Sequence, residues 1–150
     1  MIFQKFEDID FSNFPVIIFG SGPAGMTIAL ELEKKNVSSI IIEAGDAEYS
    51  PDSQELYNGK IIGDNLADLS SSRLRQLGGT SGHWGGWSKP MEAYNLKKWP
   101  IKKEDLDPYH KKTCSILNIN NEFKKTKLNN YFNQIEFKYS SVRFAEKYKA

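Results

Sequence analysis

The stretch Phe14–Gly45, FPVIIFGSGPAGMTIALELEKKNVSSIIIEAG, decides the fold. Phe14 to Phe19 is an almost continuous apolar run, rich in β-branched and aromatic residues. It predicts a strand covered on both faces. Gly20-Ser21-Gly22-Pro23-Ala24-Gly25 follows at once, and MTIALELEKKN then reads as a helix. Ala24, Ile28, Ala29 and Leu32 recur at three- and four-residue spacings and predict one apolar face. Glu31 and Lys35 stand in the favourable i,i+4 order, and Asn36 suits a C-terminal stop. A second strand, Ser39 to Glu43, closes on Ala44-Gly45. Strand, turn, helix and strand in this order predict parallel strands joined by a right-handed crossover, and so an α/β fold.

The turn carries the chemistry. Gly20 permits the tight exit from the strand, Gly22 lets backbone approach a phosphate, and Gly25 allows helix and strand to pack closely. The helix opening at Pro23 and Ala24 directs free N–H groups and its positive dipole end toward the same point. Pro23 suits the first helical turn, where no N–H is needed. Glu43 ends the second strand, 23 residues after Gly20. Its carboxylate can accept hydrogen bonds from a ribose 2′-OH and would repel a 2′-phosphate, which favours FAD or NAD over NADP. A Walker A phosphate loop fits worse, because no Lys-Ser/Thr follows Gly25.

The remainder of the chain bounds the answer. Its 150 residues are enough for one domain with a core. The net charge is +1, but residues 1–96 hold 7 Lys/Arg against 13 Asp/Glu and residues 97–150 hold 13 against 6. Such asymmetry marks either a basic binding region or two neighbouring parts of one fold. Cys114 is the single cysteine, which excludes an internal disulfide framework. No long apolar run suggests a signal peptide or a membrane span, so a soluble, cytoplasmic protein is expected. Turn signals at Tyr49–Ser53 and Asn58-Gly59 predict irregular structure through residues 46–72. Glu104–Leu117 predicts a helix with Leu106, Tyr109, Leu117 and Cys114 near its buried side. Asp105 or Asp107 would cap it and Pro108 would lie in its first turn. Residues 121–150 predict loops with one or two short strands.

A second constellation lies at Arg73–Trp87, RLRQLGGTSGHWGGW. Gly78, Gly79 and Gly85 allow close approach of a phosphate or ring, and Arg73 brings a cation. Thr80 and Ser81 supply hydroxyls, His83 a nitrogen that can donate, accept or be alkylated, and Trp84 an apolar plane. The set suits the neighbourhood of a flat, polar-edged ring such as isoalloxazine. It equally suits a tight turn with Trp84 and Trp87 tucked into the core.

Here the chain resembles the glucose–methanol–choline (GMC) oxidoreductases, especially the subgroup of pyranose oxidase and the sugar and sugar-acid dehydrogenase flavoprotein subunits. GSGPAG (Gly20–Gly25) with IIEAG (Ile41–Gly45) is similar to the FAD-binding start. LGGTSGHWGG (Leu77–Gly86) resembles the family's second glycine-rich motif, and WPIKKEDLDPYHKKTCSILNI (Trp99–Ile119) its entry to the substrate domain. VRFAEKY (Val142–Tyr148) faintly resembles a following piece. The resemblance implies a Rossmann-like FAD-binding domain with a parallel sheet, incomplete in this chain. Residues 1–96 would form the FAD region and residues 97–150 the start of a substrate region.

It implies oxidation of an alcohol, such as a sugar or polyol, by hydride transfer to FAD. His83 aligns with the histidine that bonds the flavin in pyranose oxidase, with Gly82 in place of a threonine, so FAD would be covalent or simply packed there. The family's catalytic base lies toward the C-terminus of much longer chains, so no catalytic residue is named. A second chain would then complete the fold, or the piece would be an inactive FAD-binding fragment. The rival is another two-dinucleotide flavoprotein, of the amine oxidase or disulfide reductase kind. His110 and Cys114 without a CxxC or HExxH pattern do not read as a metal site. Lysines among Tyr131, Phe132 and Phe137 do not form a recognised nucleic-acid module.

Overall fold

The computed structural model describes residues 1–64 and 67–140. The Val142–Tyr148 resemblance lies outside the described residues. The chain divides into two compact units, Met1–Trp84 and Gly85–Ala150, whereas the charge change and motif boundary in the sequence fall at 96/97.

The first unit is mixed α/β. Strand β1 (Val16–Phe19) pairs in parallel with β2 (Ser39–Ile42), with Ile17 opposite Ile40 and Ile18 opposite Ile41. Helix α1 (Pro23–Glu33) makes the crossover between them. The ladder runs on past the strand, where the Gly20 N–H donates to the Ile42 carbonyl at 2.8 Å. Asn36 ends α1 in the left-handed region at φ 56°. The Val37 N–H then reaches back to the Leu32 carbonyl at 3.0 Å, the long bond of a Schellman cap. Asn is the non-glycine residue best suited to that conformation.

Three expectations for this unit differ from its structure. β1 is not covered on both faces: Ile18 is buried, while Ile17 and Phe19 on the other face are exposed. The inward stripe of α1 is Gly25, Ala29 and Leu32, with Ala24 and Ile28 exposed. The polar positions of α1, Thr27, Glu31 and Glu33, leave more than one apolar stripe, and Gly25, with no Cβ, lies where the helix packs against Gly20 and Ile18. Lys34, rather than Lys35, pairs with Glu31, at 2.8 Å.

Residues 46–72, expected to be irregular, include short helices α2 (Pro51–Glu55) and α3 (Leu69–Ser72). Ser50 caps α2 by accepting the Ser53 N–H. Buried Gln54 fixes the following segment from both ends of its amide. Its Nε2 donates to the Ser70 and Arg73 carbonyls at 2.7 and 2.6 Å, and its Oε1 accepts the Arg75 N–H at 2.9 Å. Gln54→Leu keeps the volume but takes three hydrogen bonds from a part-buried donor and two part-buried acceptors. It is expected to lower stability by at least about 2 kcal/mol, read from a denaturant midpoint.

The second unit is built around helix α4 (Lys103–Ile116) and two small antiparallel ladders. β3 (Trp87–Ser88) pairs with β6 (Lys138–Tyr139), and β4 (Lys125–Lys127) pairs with β5 (Asn133–Ile135). α4 starts one residue before its expected first residue. Asp105 sits at its third position and accepts the Lys102 N–H at 2.8 Å, so Pro108 falls in the second turn rather than the first. The inward stripe is Leu106, His110, Cys114 and Leu117 at helical spacing, and Tyr109 is exposed instead. His110 lies edge-on to Phe123 and its Nε2–H donates to the Asn121 carbonyl at 3.0 Å. Burial pushes the Cys114 thiol up, which suits packing rather than thiolate chemistry. Asn118, at φ 53°, ends α4 as Asn36 ends α1. Trp84 and Trp87 are both exposed, so the reading that tucks them into a core does not hold.

Candidate functional site

In the first unit, the two glycine-rich segments of the sequence meet. Gly20 leaves β1 at φ 91°, a conformation that a side chain would strain, and the loop turns into α1 through Gly22, its N-cap. Gly25 sits one turn inside α1 against the loop. A Cβ there would collide with the Gly20 carbonyl oxygen and crowd Ile18 Cγ2 at 3.2 Å. The first helical bond runs from the Met26 N–H to the Gly22 carbonyl. Helix geometry therefore leaves the N–H groups of Ala24 and Gly25 pointing out of the N-terminal end.

Ser21 is the hub, and its residue is 1% exposed. Its Oγ–H donates to Glu43 Oε2 at 2.6 Å, and its N–H donates to the same oxygen at 2.8 Å. The Gly78 N–H donates to Ser21 Oγ at 2.7 Å. Glu43 Oε1 accepts the Gly45 N–H at 2.9 Å. One hydroxyl thus ties together the end of β1, the carboxylate closing β2, and a glycine 57 positions further along the chain. The second segment is held in place by further backbone pairing, with the Leu77 N–H donating to the Asp46 carbonyl at 2.9 Å. Gly45 lies so close to Arg75 and Gln76 that a Cβ would overlap their backbone. Gly78 and Gly79 both take positive φ, and a Cβ on Gly79 would touch only the Gly22 Cα, at 3.7 Å.

A cleft of about 350 Å³ opens above this junction. Gly20, Gly22 and Gly79 supply bare backbone, Glu43 and Thr80 supply polar groups, and Phe19, Ile42 and Tyr57 form apolar walls, with Ala44 and Leu74 completing it. A larger cleft of about 460 Å³ lies elsewhere in the unit and includes Arg73, Gly82 and His83, with Leu74 common to both. The smaller cleft lies at the N-terminus of α1 and beside the Glu43 carboxylate, which place N–H donors and an acceptor on its wall. Of the remaining residues expected at the site, Pro23 is exposed at the start of α1. Ser81 donates its hydroxyl to the Gly78 carbonyl at 2.7 Å and so braces the 3₁₀ turn Gly79–His83. Trp84 is exposed and lines neither cleft, and Gly85 belongs to the second unit. Sequence reasoning missed Ser21 and Gln54. Ser21 stands at a free position between two glycines, and Gln54 is a lone polar residue in a stretch without periodicity.

The electrostatics favour an ionised Glu43. Burial acts to raise its pKa, but the Ser21 hydroxyl, the Ser21 N–H and the N–H groups of Gly45 and Ala44 together outweigh burial and hold it below 4.5. The sign of the stability effect follows. A carboxyl with a depressed folded-state pKa stabilises the fold above its unfolded value, and that contribution is lost as pH falls through the lower folded value. Wild-type stability should therefore fall more steeply than that of Glu43→Gln as pH drops below the ordinary carboxylate range, as read from denaturant midpoints at successive pH values.

Among the described residues, no three His, Cys, Asp or Glu side chains gather as metal ligands would, and no helix is long and apolar enough to cross a membrane. Comparison with protein-family models, with curated proteins and with solved structures finds nothing that matches this chain.

Proposed function

We propose that the first unit binds the FAD of a GMC-type oxidoreductase, with the adenosine and pyrophosphate portion in the 350 Å³ cleft. The observation that carries this reading is the Gly78–Ser21–Glu43 chain of hydrogen bonds, which draws the two glycine-rich segments against one helix N-terminus. The residues fit such a group. Gly20 and Gly22 have nothing within 4 Å of where a Cβ would stand, so phosphate oxygens can approach the bare backbone there. The N–H groups at the start of α1 supply donors and positive potential. Ser21 donates twice to Glu43 Oε2 and Gly45 once to Oε1, so Oε1 is the oxygen that can also accept from a ribose hydroxyl. Its charge opposes a 2′-phosphate, so FAD or NAD is preferred to NADP.

The case for flavin over nicotinamide rests on the second segment, whose Gly78 and Gly79 flank the same loop and whose resemblance to the GMC motif is the more specific one. When bound, FAD would supply the hydride acceptor for oxidation of an alcohol, such as a sugar or polyol. The chain's own residues bind and orient it. His83, in the second cleft, is the residue at which a covalent flavin link would form.

The test is the visible spectrum of the purified protein together with its intact mass after denaturation. A yellow protein carrying the added mass of FAD, lost in His83→Ala, supports a covalent site. A yellow protein of unmodified mass supports FAD held by the cleft alone. A colourless protein that takes up no FAD on reconstitution overturns the proposal.

A further inference from the structure

The basic, aromatic stretch of the second unit has no part in the cleft, and its structure gives it a shape of its own. β4 and β5 form a hairpin with Lys125 opposite Ile135 and Lys127 opposite Asn133. The ladder continues with the Leu128 N–H donating to the Phe132 carbonyl at 3.0 Å. Inside the loop, Asn129 Oδ1 accepts the Tyr131 and Phe132 N–H groups at 2.8 and 2.9 Å. That side-chain turn fixes the tip. Three large apolar side chains stand on it in the open: Tyr131 is 88% exposed, Phe132 66% and Leu128 62%. Around its base, residues 124–140 carry four lysines and one glutamate. Lys138 and Lys125 pair with Glu136 and Glu92, and Lys124 and Lys127 add further charge.

We infer that this hairpin docks on an anionic lipid surface, with Leu128, Tyr131 and Phe132 entering the interface and the exposed Lys124 and Lys127 meeting the headgroups. Charge and shape favour this occupant. A fixed apolar tip above a basic collar matches a layer that is negative at its surface and apolar just beneath it. Tyrosine suits that boundary, with its ring in the apolar layer and its hydroxyl in the wet one. Lysine stems can lie along the apolar side while the ammonium stays at the headgroups. A loop of five residues offers a folded protein partner far less than the roughly 800 Å² per side of a stable interface, whereas a fluid bilayer closes around a convex tip. Single-stranded nucleic acid calls for a basic groove with aromatic platforms along it, and here the aromatics sit at the end of the element.

The inference is independent of the FAD reading. The test is co-sedimentation of the full chain with vesicles of phosphatidylcholine plus phosphatidylserine, and with phosphatidylcholine alone. Binding to the mixed vesicles only, weakened by salt, is expected. Tyr131→Ser/Phe132→Ser and Lys124→Glu/Lys127→Glu should each weaken it at least about tenfold. These side chains are exposed, so unchanged circular dichroism is expected in both. Failure to pellet with the mixed vesicles, or equal pelleting by wild type and both variants, overturns the inference. So does retention on oligothymidylate through the same residues without vesicle binding.

Discussion

Gly25→Ala should be the most damaging single substitution in the first unit, lowering stability by about 3 kcal/mol. The added methyl would overlap the carbonyl oxygen of Gly20 and press on Ile18 Cγ2. The overlapped atom is backbone, at a residue held at φ 91° and bonded to the Ile42 carbonyl, so no side-chain rotation relieves it. α1 must then move away from β1, and Ile18 is one of the few well-buried apolar residues of the unit. That loss is a large fraction of the stability of an ordinary domain. A denaturant midpoint equal to that of wild type would mean that α1 and β1 are not packed as described. Ala24→Ser, one position away on the exposed side of the helix, is the control and should change little.

Gly45→Ala is expected to have the largest effect on ligand binding. Its Cβ would meet the backbone of Arg75 and Gln76, so the second glycine-rich segment must shift away from the end of β2. The bonds that depend on that approach are Leu77 N–H to the Asp46 carbonyl and Gly78 N–H to Ser21 Oγ, at 2.9 and 2.7 Å. β1, α1 and β2 do not need the contact and should remain folded. The variant should therefore keep most of its circular dichroism while losing at least about tenfold in FAD affinity, since one good hydrogen bond to a charged or aligned group is worth that much. Unchanged affinity would separate the second segment from the site.

The first of the two motifs was readable because each of its signals has a local cause. A β-branched run followed by glycine, a proline at the helix start and an asparagine that tolerates left-handed φ all act within a few residues of themselves. The crossover, the cap at Asn36 and the position of Glu43 follow from them. The face of α1 was not readable in the same way, because its few polar positions, Thr27, Glu31 and Glu33, leave more than one apolar stripe. The packing of Gly25 decides it, and that is a tertiary fact. The hub at Ser21 depends on Gly78 and Glu43 arriving from 57 and 22 positions away, and periodicity does not report such distances. Gln54 was hidden for the same reason. In the second unit β4, β5 and β6 have two or three residues each, mostly polar and exposed, so no alternation develops. His110 took the inward place expected for Tyr109 because it, at four-residue steps from Leu106 and Cys114, falls on the buried stripe of α4.

Titration of the nucleotide-stripped protein with FAD, followed by quenching of flavin fluorescence and compared with Ser21→Ala, tests the central claim most directly. Ser21→Ala removes the atom that joins both segments to Glu43 and leaves the Gly78 N–H without its acceptor. The account predicts saturable quenching by wild type and an affinity at least about tenfold weaker in a variant whose circular dichroism is unchanged. Absence of saturable quenching by wild type, or equal affinity in the two proteins, would contradict it.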